Sequence, residues 1–305
     1  LAEKISGSVP KFVERMNQEA KALGMQQTNF QNPAGITMPE HYSTAADLAK
    51  LSQALVNETP NYLFYSKQQS FSYNQRFHRA TNLLLKIDPT VDGLKTGFTR
   101  AAGYNLAATA IRPSMDMSLS NRRLIVVVMG SKSAVKRAEV AHKLMNLAYT
   151  YTRNEVALKD KQVLAELPVV QSTLKMFKVA TKKPELITTS LYDQSYSIDL
   201  NQFDQSTQRV MLDTGNGTLQ SIEPLRETQT HLNIEVNETQ LTAPLAKVMQ
   251  LATVNVYQNN QLIRTILIED QVDIEEANFF EKFLQWLFGL FSNTNADVIL
   301  YPIGK

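Results

Sequence analysis

The sequence predicts an α/β (α+β) domain with an antiparallel sheet and flanking helices, followed by a smaller all-β domain and a C-terminal amphipathic helix. Three observations predict this. Apolar residues recur at helical spacing on both sides of three successive β-type runs between residues 10 and 149. From about Asn154 the chain changes to short β-type runs separated by polar turns. Near residue 280 aromatic side chains crowd a single helix. With 305 residues and 43% hydrophobic composition, the chain can fill two cores. The expected boundaries are 1–152 for the α/β domain, 153–276 for the all-β domain, 277–291 for the helix and 292–305 for a tail.

Phe12, Val13, Met16, Ala20 and Leu23 share one helical face after Pro10 and before Gly24, which predicts a helix over 10–23. Asn32-Pro33-Ala34-Gly35 is turn chemistry, and Ser43–Val56 is a second helix with Ala46, Leu48, Leu51 and Leu55 facing inward. Val91–Thr99, Tyr104–Ile111 and Arg123–Met129 read as three antiparallel strands. The last is apolar on both faces and so suits a central strand covered by helices. Tyr104–Ile111 is one neighbour, and no other strand before it supplies the second. Ala134–Tyr149 follows as a helix with Val135, Ala138, Ala141, Leu144, Met145 and Ala148 on one side.

The β-rich part comprises Val163–Val170, Leu174–Val179, Ser195–Leu200, Arg209–Leu212, His231–Val236, Ala252–Tyr257 and Leu262–Ile268. Asp213 to Gly217 reads as a turn, because no helical pattern follows it as a phosphate loop requires. Phe279, Phe280, Phe283, Leu284, Trp286, Leu287, Phe288, Leu290 and Phe291 cover most of the last helix. Asn278, Glu281, Lys282, Gln285 and Gly289 form its narrow polar stripe. Such a helix is too short to span a bilayer and suits the plane of a membrane surface; docking on its own domain or on a second copy is the alternative.

Lys plus Arg at 31 against Asp plus Glu at 29 gives a formal charge of +2 without basic runs, so nucleic acid is not an expected partner. The chain has no cysteine, and its four histidines, His41, His78, His142 and His231, have no metal-binding spacing. No metal site or cofactor is therefore expected.

The segment that carries chemistry is Asp92-Gly93-Leu94-Lys95-Thr96-Gly97-Phe98-Thr99. Its K-T-G lies inside a strand, where Gly97 leaves room for another backbone to come close. K-T-G belongs to the set S-x-x-K, S-x-N and K-T-G shared by β-lactamases and penicillin-binding proteins. Further stretches resemble the low-molecular-mass penicillin-binding D-alanyl-D-alanine carboxypeptidases: Phe12 to Asn17, then Leu23-Gly24-Met25 and Asn32 to Gly35, His41 with Ser43-Thr44-Ala45, and Ala101 to Leu106. Residues 1 to about 150 carry this resemblance in order, and architecture extends it to about 291.

The resemblance implies a β-lactamase/transpeptidase-like fold and a periplasmic serine hydrolase, peripherally attached to the cytoplasmic membrane. Its substrates would be peptidoglycan stem peptides ending in D-Ala-D-Ala, and β-lactam antibiotics would acylate it. It also implies roles for named residues. Lys95 and Thr96 would act at the substrate carboxylate and the nucleophile, with Gly97 between them and the Phe98 N–H as an oxyanion donor. Thr99 and Arg137 would bind substrate. Phe98 and Arg100 depart from the usual histidine and small polar residue, and Pro113–Asn121 looks like an inserted loop.

Three serines meet the S-x-x-K spacing: Ser8 with Lys11, Ser133 with Lys136, and Ser172 with Lys175. None has the context of a nucleophile, and Ser72-Tyr73-Asn74 only mimics S-x-N. The alignment of Phe12–Asn17 with the segment following S-x-N places both missing motifs ahead of Leu1, so the chain taken alone is not expected to be acylated. A β-lactamase and a non-catalytic membrane-associated binding module are the competing readings.

Overall fold

In the computed structural model, a short helix α1 (Ala2–Ser6) precedes α2 (Val9–Ala22), which opens where Ser8 accepts a hydrogen bond from the Lys11 N–H at 3.3 Å. The structure describes residues 1–114, 119, 121–192, 200–213, 219–225, 229–289 and 297–302. The expected helix over 10–23 is thus found one residue earlier, with Ala20 buried and Gly24 at φ +70° just past its end. Helix α3 (Ala45–Glu58) opens on Thr44, whose hydroxyl accepts from the Asp47 N–H at 3.2 Å. Its buried residues are Asp47, Ser52 and Val56, whereas Ala46 is exposed. Two polar groups can occupy that inner face because both are satisfied. Asp47 accepts from the Gln27 N–H and the Thr28 hydroxyl, each at 2.8 Å, and the Ser52 hydroxyl donates to Leu48 O at 2.7 Å.

Helix α4 (Tyr62–Ser66) leads to the hairpin of β1 (Ser70–Tyr73) and β2 (Arg76–Arg79). The sequence reading does not contain this hairpin. Its two-residue turn is Asn74-Gln75, with φ of 49° and 61°, the left-handed pair that matches strand twist. A single turn, α5 (Leu84–Ile87), then precedes β3 (Val91–Thr99), β4 (Gly103–Arg112) and β5 (Arg122–Ser131). They form one antiparallel sheet in the order β3-β4-β5, close to the predicted strands. Among the described strands, β5 pairs only with β4. Helix α6 (Ala134–Tyr151) packs on the sheet through Ala138, Ala141 and Met145, against Leu106, Ala108, Ala110, Val126 and Val128. Val135, expected on that face, is 58% exposed; the buried stripe instead begins at Arg137.

A stitch across the sheet sets its register. Arg123 on β5 grips the two Asp92 carboxylate oxygens on β3 at 2.7 and 2.8 Å, and reaches Thr109 Oγ1 on β4 at 2.9 Å. A fork-to-fork pair of this kind has directional preference as well as charge attraction, so a slip of one strand would break it. Asp88 anchors the entry to β3. It accepts from the Thr90 N–H and hydroxyl at 2.9 and 2.6 Å and from Arg112 at 2.6 Å, while Arg112 also reaches Asn146 Oδ1 at 2.8 Å.

The remaining strands are β6 (Thr152–Leu158), β7 (Val163–Val170), β8 (Met176–Ala180), β9 (Glu185–Ser190), β10 (Phe203–Asp204), β11 (Arg209–Asp213), β12 (Leu219–Ile222), β13 (Thr230–Val236), β14 (Leu241–Thr242), β15 (Leu245–Gln258), β16 (Gln261–Ile274) and β17 (Ile299–Leu300), with α7 (Phe279–Gly289) before the last. The chain divides into two units, Leu1–Arg153 with Tyr192–Pro224, and Asn154–Leu191 with Leu225–Lys305. The segment 192–224, placed by sequence in the all-β part, therefore groups with the first unit. The buried Tyr151 ring packs with Phe203 and Val210, and its hydroxyl donates to Ile222 O at 2.6 Å and accepts from the Val210 N–H at 2.8 Å.

In the second unit β7 pairs with β8, β14 and β17, β6 pairs with β9, and β13-β15-β16 form a sheet. Leu164, Leu167, Val179, Leu251, Val254, Val256, Ile268 and Val272 fill the core between them. β15 and β16 extend the predicted runs at both ends around Asn259-Asn260, at φ 50° and 63°. The expected strand Ser195–Leu200, the turn after Asp213, and Leu290 and Phe291 of the terminal helix lie wholly or largely outside the described residues, as does most of 113–121.

The Asp88 carboxyl is held below its ordinary value of 3.8: burial acts to raise it, and hydrogen bonds from Thr90 and Arg112 outweigh that. A depressed carboxylate contributes stability that is present above its unfolded value and lost as pH falls through the folded one. Asp88→Asn is expected to cost about 2–3 kcal/mol at pH 7, because Arg112 loses its carboxylate partner. It should also flatten the loss of stability below pH 4; urea unfolding from pH 3 to 7 measures both effects.

Candidate functional site

The free edge of β3 carries the site. Among the described strands β3 pairs only with β4, so its alternate backbone groups face away from the sheet. Lys95, Gly97 and Phe98 are exposed and Thr96 and Thr99 half-buried, while Val91, Gly93 and Leu94 are buried. One end of the strand is thus sunk in the domain and the K-T-G end stands at the surface. Gly93 explains the change. A Cβ there would meet Ser66 Oγ at 2.6 Å, and that hydroxyl donates to Asp92 O at 2.8 Å, so α4 locks onto β3 only through a glycine. At Gly97 a Cβ would meet only Asn105 Cβ, at 4.0 Å.

Lys95 Nζ donates to Thr96 O, and the Thr96 hydroxyl lies 2.6 Å from the Thr81 hydroxyl. Phe98 is 54% exposed and leans on its cross-strand partner Tyr104, ring centroids 4.3 Å apart. Thr99 accepts from the Ala102 N–H at 3.0 Å and closes the β3–β4 turn. Gly103 completes that turn at φ +68°, where a Cβ would press on the Gly130 and Ser131 backbone at 3.1 Å.

Arg137 reaches the site from behind. It is only 3% exposed; Nη1 donates to Asn105 O at 3.1 Å and Nη2 to Thr81 O at 2.8 Å, with the guanidinium 5.8 Å from the Tyr104 ring centre. Among the described residues its buried Nε has no partner. Burial pushes the guanidinium below its ordinary value, with Tyr104 acting in the opposite direction. It remains a cation, because no protein environment readily deprotonates arginine. Among the described residues neither Lys95 nor Arg137 has a carboxylate within salt-bridge distance. Thr81 links the two: Arg137 holds its carbonyl and Thr96 meets its hydroxyl. Sequence reasoning missed Thr81, which lies in no motif.

The three S-x-x-K serines have local roles. Ser8 and Ser133 cap α2 and α6, each accepting from the N–H of the lysine three residues on, at 3.3 and 3.0 Å. Ser172 is buried and accepts from the Leu174 N–H at 3.2 Å. Ser72 lies in the exposed hairpin strand β1.

Residues 1–133 match the peptidase S11 family model, described as D-alanyl-D-alanine carboxypeptidase. The chain is similar to D-alanyl-D-alanine carboxypeptidase DacF of Bacillus subtilis, 34% identical over 196 residues, 62% of this chain and 48% of that protein. It is also similar to D-alanyl-D-alanine carboxypeptidase DacA of Haemophilus influenzae, 29% identical over 299 residues, 96% of this chain and 66% of that protein. The solved structure of penicillin binding protein 5 from Haemophilus influenzae superposes with a TM-score of 0.67 at 27% identity, covering 90% of this chain and 69% of that one. The chain thus spans 48% and 66% of the length of these two curated relatives.

Removing the Arg137 side chain takes from the partly buried Thr81 and Asn105 carbonyls their charged donor and leaves a gap behind the sheet, so Arg137→Met is expected to cost about 2–3 kcal/mol. Thr81→Val, which keeps the shape and removes one hydroxyl contact, should cost about 1 kcal/mol. Urea unfolding of the two variants distinguishes them. Equal costs would show that Arg137 does not brace the Thr81 segment.

Proposed function

Residues 1–133 make this chain a relative of the D-alanyl-D-alanine carboxypeptidases of peptidase family S11, and on that premise we propose that the protein containing it is a serine-type carboxypeptidase of peptidoglycan stem peptides. A serine hydroxyl attacks the carbonyl of the penultimate D-alanine, the amide C–N bond breaks, and the terminal D-alanine leaves with the proton. Water then hydrolyses the acyl-serine ester. A β-lactam acylates the same hydroxyl by opening its ring amide. No serine of this chain is assigned the nucleophile's place.

The observation that carries the reading is the pair of cations, Lys95 and Arg137, without carboxylate partners among the described residues, flanking the Thr81–Thr96 hydroxyl pair on an unpaired strand edge. An anion meets charge and hydroxyl donors there, which suits a free terminal carboxylate. In this reading Lys95 and Thr96 take that carboxylate, and Arg137 supports the field from below through Thr81. The Phe98 N–H, on the exposed end of β3, donates to the acyl oxygen as negative charge develops. Thr99 lies beside the penultimate residue.

The terminal helix supports attachment to a membrane surface. Asn278 and Glu281 cap α7 reciprocally, each backbone N–H meeting the other's side-chain oxygen at 2.9 Å. Phe279, Phe280, Phe283, Trp286 and Leu287 are 87%, 66%, 46%, 61% and 37% exposed. No described helix is long and apolar enough to cross a membrane. An aromatic helix of this length suits the plane of a membrane interface, and together with the carboxypeptidase reading it supports attachment at the periplasmic face of the cytoplasmic membrane.

In the full-length protein, penicillin labelling and D-alanine release from a D-Ala-D-Ala pentapeptide are both expected. Lys95→Ala should slow acylation about 100-fold or more, and Lys11→Ala should leave it unchanged because Ser8 is a helix cap. Absence of both activities in folded protein defeats the reading. Deleting 277–291 should move the protein from the membrane to the soluble fraction with hydrolysis of soluble peptide retained; persistent membrane association would defeat the anchor.

A further inference from the structure

The β1–β2 hairpin holds its aromatic rings in the open. All eight strand residues are exposed, and Phe71, Tyr73 and Phe77 are each more than half exposed. The register sets Phe71 opposite His78 and Tyr73 opposite Arg76, so these four side chains share one face. On it the Phe71 and His78 rings stack, with centroids 5.0 Å apart and planes 18° from parallel. Rings grouped with an arginine on a surface mark a place of contact, because Tyr and Arg dominate binding surfaces and exposed apolar patches are rarely idle.

The hairpin is anchored at its base and leads to the candidate site. The Ala80 N–H donates to Gln69 O at 2.8 Å, and Gln69 Nε2 donates to Leu85 O at 3.1 Å. From β2 the chain passes through Ala80 to Thr81, whose hydroxyl lies 2.6 Å from that of Thr96. A ligand lying along the hairpin therefore has one end near the K-T-G strand.

Charge and shape narrow the occupant. Between Glu58 and Asp88 the chain carries Lys67, Arg76, Arg79 and Lys86 and no acidic residue. The next two acids, Asp88 and Asp92, are taken by Arg112 and Arg123. The hairpin is thus a cationic surface that favours an anionic partner. Its tip is Asn74-Gln75, two polar residues, so the rings cannot enter a bilayer tip-first. They form a plate along the side instead, which suits an extended polymer with flat apolar faces. A pyranose ring has such a face, made of C–H groups that the π-cloud of an aromatic ring attracts.

We infer that the face of Phe71, Tyr73, Arg76 and His78 is a noncatalytic docking surface for a peptidoglycan strand, with sugar rings on Phe71 and Tyr73 and a stem-peptide carboxylate on Arg76. The inference rests on the carboxypeptidase reading above and extends it from the scissile peptide to the polymer that bears it. Phe71 and Tyr73 stand about 7 Å apart along the strand, enough to meet two neighbouring rings. A polymer held there raises the effective concentration of peptide ends at Lys95 and Thr96.

The test is cosedimentation of the full-length protein, in detergent, with purified protein-free peptidoglycan. Phe71→Ser/Tyr73→Ser should raise the Kd about tenfold and Arg76→Glu about threefold. Added salt should weaken wild-type binding more than that of Arg76→Glu. Hydrolysis of a soluble D-Ala-D-Ala peptide should stay within about twofold of wild type in both variants, which also shows that they fold. Unchanged peptidoglycan affinity in both variants overturns the docking surface. So does a loss of binding to phosphatidylglycerol vesicles in the same variants with peptidoglycan binding retained, which would assign the face to a membrane. A wild type that neither hydrolyses the soluble peptide nor is labelled by penicillin overturns the carboxypeptidase reading instead, and cosedimentation, which needs no catalysis, is read separately from it.

Discussion

The buried guanidinium of Arg137 joins the three pieces from which the site is made. It comes from α6, holds the Asn105 carbonyl on β4 and the Thr81 carbonyl ahead of α5, and lies against the Tyr104 ring. It adds a side-chain tie between the Thr81 segment and the sheet, beside those of the Thr81 hydroxyl to Thr96 and of Asn82 Nδ2 to Gly93 O at 3.3 Å. A desolvated cation is costly unless hydrogen-bonded, so the two carbonyls and the arginine stabilise one another. The arrangement also leaves positive charge behind a strand edge where no described carboxylate neutralises it. On the proposed function, the structural brace and the field that draws an anion are one feature.

The Asp92–Arg123–Thr109 stitch acts on the same strand from the other direction. It ties β3 through β4 to β5 near the buried end, and Gly93 admits Ser66 beside it. A strand pinned at one end and braced by Thr99 and Gly103 at the turn has little freedom between. Lys95, Thr96 and Phe98 occupy that interval, so their spacing along the edge is set by the sheet rather than by their own contacts. This rigid placement is what charge stabilisation of a short-lived intermediate requires.

The parts legible in the sequence are those with a strong period or a local grammar. Val91–Thr99, with its K-T-G, was read with the bounds it has, and α6 was found because Ala138, Ala141 and Met145 repeat on one face. The hairpin at 70–79 is not, because its turn is Asn74-Gln75 rather than a glycine pair and the alternation in Ser70-Phe71-Ser72-Tyr73 is only one short strand long, with Phe71 and Tyr73 exposed. Thr81 was invisible for another reason. A lone threonine gains meaning only from a hydroxyl contact to Thr96 and an arginine distant in sequence. Tyr192–Pro224 was assigned by β-type composition, and composition cannot say which core its Phe203 and Val210 join; Tyr151 decides that in space.

The S-x-x-K pattern shows how one spacing can serve two physical ends. A nucleophilic serine needs a lysine one helical turn away. A helix-capping serine accepts from the backbone N–H three residues on, and lysine is a tolerated residue there. Ser8-Lys11 and Ser133-Lys136 are the second kind, their hydroxyl oxygens occupied by the N–H groups of the lysines themselves. Ser133 matters to the site all the same. It caps the first turn of α6, in which Val135 turns to solvent and, with Ala138, Ala141 and Met145 packed on the sheet, Arg137 turns inward onto Thr81 and Asn105. A serine that mimics the catalytic motif thus contributes to the site through the arginine one turn after it.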